Sequence, residues 1–208
     1  MRMISGSKFI SSKDGKIPKT KGDVHVKLGQ TFVIAHGSCQ FVTDLVYNCF
    51  HMATKIKGFI NPKDLLNHAY LETKVPRSST ACIITLNERC LNAVNIGNNG
   101  FIFLRNEEIL CEFPVQQHMY KIPYQLGNAN DSPEEIKLTK LDPRDIIIAG
   151  SARLFNNLFT HEIKDLVIKE IRKDPAPSPD MIAAEIAKNA TERSINECQF
   201  TPHLKAAW

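Results

Sequence analysis

The spacing of hydrophobic positions changes along the chain and predicts helices on both sides of a β-rich middle. Residues 24–26 and 31–35 have the pattern of short strands, and a turn is expected at Leu28 and Gly29. From 42 to 56 the apolar residues recur at helical spacing. Asn61 followed by Pro62 predicts the cap and first turn of a second helix.

The middle of the chain predicts short strands separated by asparagine-containing turns. The β-rich runs are 80–86, 90–96, 100–105 and 108–112, a spacing typical of an antiparallel meander. An acidic loop at 130–135 and an apolar strand at 145–149 follow. A helix capped by Thr160 and a last helix from Ser178 to about 197 complete the pattern. Helices that flank antiparallel strands indicate an α+β fold with the sheets packed between helices.

Composition and charge favour one domain inside the cell. The 208 residues are 43% apolar, enough for a single buried core, and the net charge of +4 is too small for a dedicated nucleic-acid binder. The basic excess lies in residues 1–22, which we expect to be a flexible arm before one domain at 23–208. This arm leaves RNA as a candidate partner, and it leaves mitochondrial and cytoplasmic locations open.

Two further classes of protein are disfavoured by the sequence. No apolar run approaches the roughly 18 residues that a membrane span needs. The six cysteines contain no C-x-x-C pair and lie mostly in apolar segments, which predicts reduced core residues and neither disulfides nor a zinc site.

Several ordered motifs resemble the metal-dependent protein phosphatases of the protein phosphatase 2C type, in particular a small, often mitochondrial branch. The matching stretches are SSTACII at 78–84, LNAVNIGNNGF at 91–101, QQH at 116–118 with PYQL at 123–126, DIIIA at 145–149 with LFNN at 154–157, and TPHLKAA at 201–207. The resemblance implies a four-layer α-β-β-α fold in which two antiparallel sheets lie between helices. It also implies two Mn²⁺ or Mg²⁺ ions that activate a water for attack on phosphoserine or phosphothreonine.

The metal-ligand positions that the resemblance implies have lost most of their acids. Asp23 keeps a carboxylate, whereas Arg153 adds a positive charge where the family has a glycine. The vestigial positions are Asp23, His36, Gly37, Asn98, Ala152 and Asn156. The final Gly-x-x-Asp-Asp strand of the family is also missing, so the resemblance implies a degenerate domain that is incomplete at its C-terminus.

These replacements predict a pseudophosphatase that binds a protein partner, holds no metal and performs no hydrolysis. If a metal does bind, Asp23 and Gly37 are its expected ligands. In this interpretation His36 is a neutral imidazole at a strand end, and a thiolate role for Cys39 is disfavoured. A phosphate contact through Arg153 is retained as a hypothesis, because guanidinium geometry matches phosphate.

Other functions remain open at the level of sequence. An atypical phosphatase would use Asp23 and His36 with Mn²⁺, Mg²⁺ or a softer ion such as Zn²⁺. A structural subunit of a ribonucleoprotein assembly would use the basic arm, and salt-sensitive RNA binding would be its signature. A decaying duplicate without a function is the fourth alternative.

Overall fold

The protein, studied as a computed structural model, is described for residues 3–8, 21–113, 115–196 and 199–207. Its strands are β1 (Lys21–Leu28), β2 (Thr31–Ser38), β3 (Ser79–Asn87), β4 (Cys90–Ile96), β5 (Gly100–Arg105), β6 (Glu108–Glu112), β7 (Gln117–Met119), β8 (Ile122–Pro123), β9 (Glu134–Leu138) and β10 (Ile146–Gly150). Its helices are α1 (Cys39–Lys55), α2 (Pro62–Glu72), α3 (Ala152–Asn157), α4 (Thr160–Ile171), α5 (Pro179–Ile195) and α6 (Pro202–Lys205).

Two antiparallel sheets of unequal size form the centre of the fold. The larger sheet has the order β1-β2-β3-β4-β9, and the smaller has the order β10-β5-β6. A separate two-stranded ribbon pairs β7 with β8. The sheet order places β1 at one edge of the larger sheet and β10 at one edge of the smaller sheet.

Three apolar layers hold the sandwich together, and strand alternation decides which residue enters which layer. In β3, Ile83 packs toward α1 and α2, whereas Cys82 and Ile84 pack between the sheets. In β5, Phe101 faces the layer between the sheets, and Ile102 faces α4 and α5. The resulting order of layers is helix, sheet, sheet, helix, so the predicted four-layer α+β fold is confirmed.

The predicted meander is wrong in one respect, because its four strands belong to two sheets. β4 pairs with β3 and β9, and β5 pairs with β10 and β6. The chain crosses between the sheets at 97–99, where Gly97 has a positive φ of 91° and lies against Thr80. This crossing brings Asn98 and Asn99 to the end of the sandwich.

Two local predictions also need correction. The predicted acidic loop at 130–135 is partly a strand, because β9 begins at Glu134 and its backbone pairs with β4. Thr160 is the first residue of α4 and not its cap, so the helix begins one residue earlier than predicted. The cap position is Phe159, whose N–H donates to the Glu162 carboxylate at 2.8 Å. By contrast, Asn61 caps α2 as predicted.

A partly buried ion pair fixes the start of β10. The Arg105 guanidinium donates to both oxygens of Asp145, at 2.8 Å from Nε and 2.6 Å from Nη2, and the Asp142 N–H donates to the same carboxylate at 2.7 Å. Burial raises the pKa of Asp145, but the bonds from Arg105 and Asp142 outweigh it and hold that pKa below its ordinary value. Asp145 is therefore ionised at neutral pH and anchors β10 to β5.

The N-terminal segment and the cysteines are described in part. Residues 9–20, most of the predicted arm, lie outside the described residues. Within residues 3–8, the N–H of Met3 donates to Gln30 and that of Ser7 donates to Asp180. Burial raises the pKa of the thiols of Cys49 and Cys82 to about 12, as expected for inert core cysteines. No helix in the described part of the chain is long and apolar enough to cross a membrane.

Candidate functional site

An open cleft of about 1610 Å³ lies at one end of the sandwich and along one side of it. Its wall includes the end of β2, the crossover between β4 and β5, and the turn from β10 into α3. The structure thus brings together candidate positions that lie as far apart in the sequence as Asp23 and Asn156, which are separated by 133 residues. The predicted positions that line the cleft are Asp23, His36, Gly37, Asn98, Ala152, Arg153 and Asn156.

Asp23 is held between two basic side chains. The His36 ring donates from Nδ1 to Asp23 Oδ1 at 2.6 Å, and Arg153 Nε lies 3.4 Å from Asp23 Oδ2. The Asp23 side chain is 14% exposed, so this carboxylate meets its two partners largely out of water. Both of its oxygens are therefore engaged within the protein.

Strand register explains why these residues meet. Asp23 lies directly opposite His36 in the β1–β2 pair, and His36 lies opposite Thr80 in the next pair. A Cβ at Gly37 would lie 2.9 Å from both Ser78 O and Ser79 Cβ, so β3 approaches too closely for any other residue. Packing against β3 thus accounts for this glycine without a metal.

Amides and an alanine occupy the other side of the site. Asn99 Oδ1 accepts from the Ala152 N–H at 3.3 Å and ties the crossover to the start of α3. Asn157 Nδ2 donates to Arg153 O at 2.7 Å, which fixes the first turn of that helix. Asn98 Oδ1 is buried without a hydrogen-bond partner among the described residues. This side supplies neutral groups where a centre for hard cations needs carboxylates.

The donor set does not fit a centre of two divalent ions. In the described ranges, no group of three or more His, Cys, Asp or Glu side chains is placed to hold a metal. The one carboxylate at the site, Asp23, already accepts from His36 and faces a guanidinium. Two ions would bring four positive charges next to Arg153, and a single carboxylate does not balance them.

The cleft has a basic lining that sequence reasoning missed. Among the described residues that line it, Lys8, Arg77, Lys121 and Arg153 are basic, and Asp23 is the one acid. These residues come from separate segments, and no local motif links them. Only the folded arrangement reveals the excess of positive charge.

Two histidines outside the predicted set have structural contacts. His203 shares a hydrogen bond of 2.9 Å with the Tyr120 hydroxyl, and burial together with the charge of Lys121 lowers the His203 pKa. His118 lies 2.6 Å from Asp131, which is buried, and its ring packs on Tyr124. His118 is not among the residues that line the cleft, so its contacts with Asp131 and Tyr124 belong to the packing around it.

Comparison of the sequence with known proteins finds phosphatases. The chain is 37% identical over 155 residues to "Probable protein phosphatase 2C 55" of Arabidopsis thaliana, covering 73% of this chain and 33% of that protein. It is 30% identical over 165 residues to "Protein phosphatase PTC7 homolog" of Homo sapiens, covering 71% of this chain and 54% of that protein. The chain thus spans about a third to about half of the length of these relatives. No protein-family profile matches it.

Solved structures with the same fold are also phosphatases. The photosystem II phosphatase PBCP superposes with a TM-score of 0.77 at 22% identity, over 88% of this chain and 77% of that one. The catalytic domain of the serine/threonine protein phosphatase PstP, solved with two manganese ions, superposes with a TM-score of 0.69 at 12% identity, over 85% and 87% of the two chains. At these identities the likeness establishes the fold alone.

Proposed function

The chain belongs to the protein phosphatase 2C-type family, and we propose that it serves there as a binding or scaffold protein that does not hydrolyse phosphate. The fold of the family is retained through all four layers.

The engagement of Asp23 is the observation that carries this proposal. A metal ligand must offer a free oxygen, but Asp23 accepts from His36 at 2.6 Å and faces Arg153 at 3.4 Å. Metal entry would break both contacts and would bring the ions close to the guanidinium, whose charge repels them. The proposal supposes that an internal ion pair has taken the place of the metal centre.

The retained cleft is better suited to binding a partner protein than to catalysing a reaction. Its lining is rich in positive charge, which attracts anionic groups whether or not a metal is present. Arg153 contacts Asp23 through Nε, and among the described residues its other guanidinium nitrogens have no partner. We propose that the part of the cleft around Arg153 contacts an acidic or phosphorylated group of a partner protein.

Calorimetric titration with Mn²⁺ and Mg²⁺ tests the missing metal centre. We expect no saturable binding of either ion to the chelator-treated protein, because the Asp23 carboxylate is already paired. The Asp23→Asn variant should therefore give the same heats of titration as the natural protein. The PstP catalytic domain, which was solved with two manganese ions, is the matched positive control. Saturable binding that Asp23→Asn abolishes would contradict the proposal.

A second candidate is an atypical phosphatase, and the close pair of Asp23 and His36 is the observation that favours it. Such a site would need a third ligand, and the described part of the chain places no suitable acid, histidine or cysteine there. The alternative of RNA assembly depends on the basic arm, most of which lies at residues 9–20 and outside the described residues. That alternative and the cellular location stay predictions.

A further inference from the structure

A tyrosine, a lysine and a histidine meet where the β7–β8 ribbon contacts α6. The Tyr120 hydroxyl and His203 Nε2 share a hydrogen bond of 2.9 Å, and the centroids of the two rings lie 5.1 Å apart. Lys121 Nζ lies 5.0 Å from the centroid of the Tyr120 ring. All three residues line the cleft, and none of them is a vestigial metal position. We call these three residues the Tyr-Lys-His cluster.

The positive charge of this cluster has no acidic counterpart. Within the described part of the chain, Lys121 is exposed and contacts the Tyr120 ring, and it forms no ion pair. Asp23 is the one acid among the described residues that line the cleft, and it faces Arg153. On the ribbon, His118 lies against Asp131 and does not line the cleft. An anion that enters the cleft therefore meets a lysine whose charge is still available.

His203 experiences this excess of positive charge. On α3, which packs on α6, the one charged residue is Arg153, and on α6 itself the other charged residue is Lys205. Burial, and after it the charge of Lys121, lowers the His203 pKa. The ring is therefore neutral at neutral pH, and an anion beside Lys121 would favour its protonation because it offsets the neighbouring charge.

Lys121 occupies a backbone position that disfavours lysine. Its φ of 65° lies in the left-handed region, which glycine and asparagine adopt more readily than a long side chain does. A lysine at this turn thus costs conformational free energy that asparagine would largely avoid. Such positions are concentrated at functional sites. What the lysine supplies in return is an ammonium group at the wall of the cleft.

Protonation of His203 determines the direction of the hydrogen bond that it shares with Tyr120. The neutral ring with its proton on Nδ1 accepts from the Tyr120 hydroxyl at Nε2, so the hydroxyl proton is used within the protein. The protonated ring has an N–H at both nitrogens and can only donate. The Tyr120 O–H is then free to donate to a ligand in the cleft. Protonation of His203 thus adds a donor and a positive charge beside Lys121.

We propose that the Tyr-Lys-His cluster binds a phosphate monoester of the partner protein, and that His203 takes up one proton from solvent as the phosphate binds. The Lys121 ammonium and the Tyr120 O–H donate to phosphate oxygens, and hydrogen bonds of this charged kind are the strong ones. This inference rests on the proposed function, because it names the chemical group by which the cleft holds its partner. Inorganic phosphate has the same chemistry, so the experiment must separate these two sources.

Titration of the His203 ring by NMR tests the coupling directly. The signal of its Cε1–H is followed against pH in chelator, and His203→Gln identifies that signal. Inorganic sulfate in excess is the probe, because it stays a dianion over the pH range in which histidines titrate. We expect sulfate to raise the pKa of His203, and to leave that of His118 unchanged, since His118 is not in the cleft. Sulfate should therefore bind more tightly as the pH falls, and His203→Gln should remove most of this dependence.

Phosphopeptide binding identifies the source of the phosphate. The probe is a fluorescein-labelled peptide with one phosphoserine, and the same peptide without the phosphate is its control. By fluorescence anisotropy in chelator, we expect the phosphopeptide to bind the intact protein at least about tenfold more tightly than the control. Competition with inorganic phosphate compares the two sources. Tighter binding of the phosphopeptide identifies a phosphorylated side chain as the ligand, and equal binding identifies free phosphate.

Matched variants locate the binding at the cluster. Lys121→Asn should weaken the phosphopeptide about tenfold, and it should not lower the unfolding midpoint, because asparagine suits the positive φ better. Tyr120→Phe should make the His203 titration insensitive to sulfate. Lys137 on β9 is exposed and lies outside the cleft, so Lys137→Gln should change neither measurement.

Two results would overturn the inference: a His203 pKa that neither sulfate nor the phosphopeptide raises, or phosphopeptide binding that Lys121→Asn and Tyr120→Phe leave unchanged. Neither outcome affects the proposed absence of hydrolysis, which depends on metal binding and phosphate release. Conversely, a protein that hydrolyses phosphate and also shows the coupled protonation of His203 would keep the cluster as a binding site and contradict the proposed function.

Discussion

Phe101→Ala is expected to lower the free energy of unfolding by about 3–5 kcal/mol. The Phe101 ring is 1% exposed and packs between the two sheets. It meets the Phe113 ring edge to face, with centroids 5.4 Å apart, so its removal leaves a cavity and also ends an aromatic contact. Denaturant unfolding followed by circular dichroism measures the change.

Phe59→Ala is the control for this prediction. Phe59 is 46% exposed, so the same substitution removes little buried area, and its effect should stay below about 1 kcal/mol. If the two variants unfold at the same denaturant concentration, the smaller sheet does not pack on the larger as described. The four-layer arrangement, and with it the position of β10, would then be in doubt.

Asp23→Asn is expected to destabilise the protein by about 1–3 kcal/mol, because it removes the carboxylate that His36 and Arg153 share. The sign of this effect is informative. In a metal-free centre built from several carboxylates, removal of one relieves repulsion between like charges and stabilises the fold. Here Asp23 faces basic partners, so its removal leaves the Arg153 guanidinium without its counter-charge.

The exposed carboxylate of Asp165 on α4 provides the comparison for Asp23. Asp165→Asn should change the unfolding midpoint little, because surface substitutions away from specific contacts have small effects. Measurements in chelator exclude any contribution from stray metal. A stabilising effect of Asp23→Asn would mean that the Asp23 carboxylate experiences net repulsion, contrary to the contacts in the structure.

Local patterns in the sequence predicted most of the elements, because apolar periodicity and capping residues act over a few positions. Asn61 and Pro62 define the start of α2, and Ser178 accepts from the Met181 N–H at the start of α5, as their residue types indicate. The division of the strands between two sheets was missed. It depends on the crossover at Gly97 and on pairings such as β4 with β9, which join residues far apart in the sequence.

The candidate site could be predicted only as a set of positions. The resemblance of the motifs placed Asp23, His36, Asn98 and Ala152 at one site, and the structure gathers them around the cleft. It gave no sign that Arg153 reaches Asp23, because that contact spans 130 residues and depends on how the β10–α3 turn meets β1.

The most direct measurement of the central claim is phosphate release from a phosphoserine peptide by the metal-stripped protein, titrated with Mn²⁺, Mg²⁺ and Zn²⁺. Circular dichroism first establishes that the sample is folded. We expect a rate equal to the peptide-only blank at every metal concentration, for the natural protein and for Asp23→Ala alike. Metal-dependent release that Asp23→Ala or His36→Ala abolishes would contradict it and would mean that these two residues belong to a working metal centre.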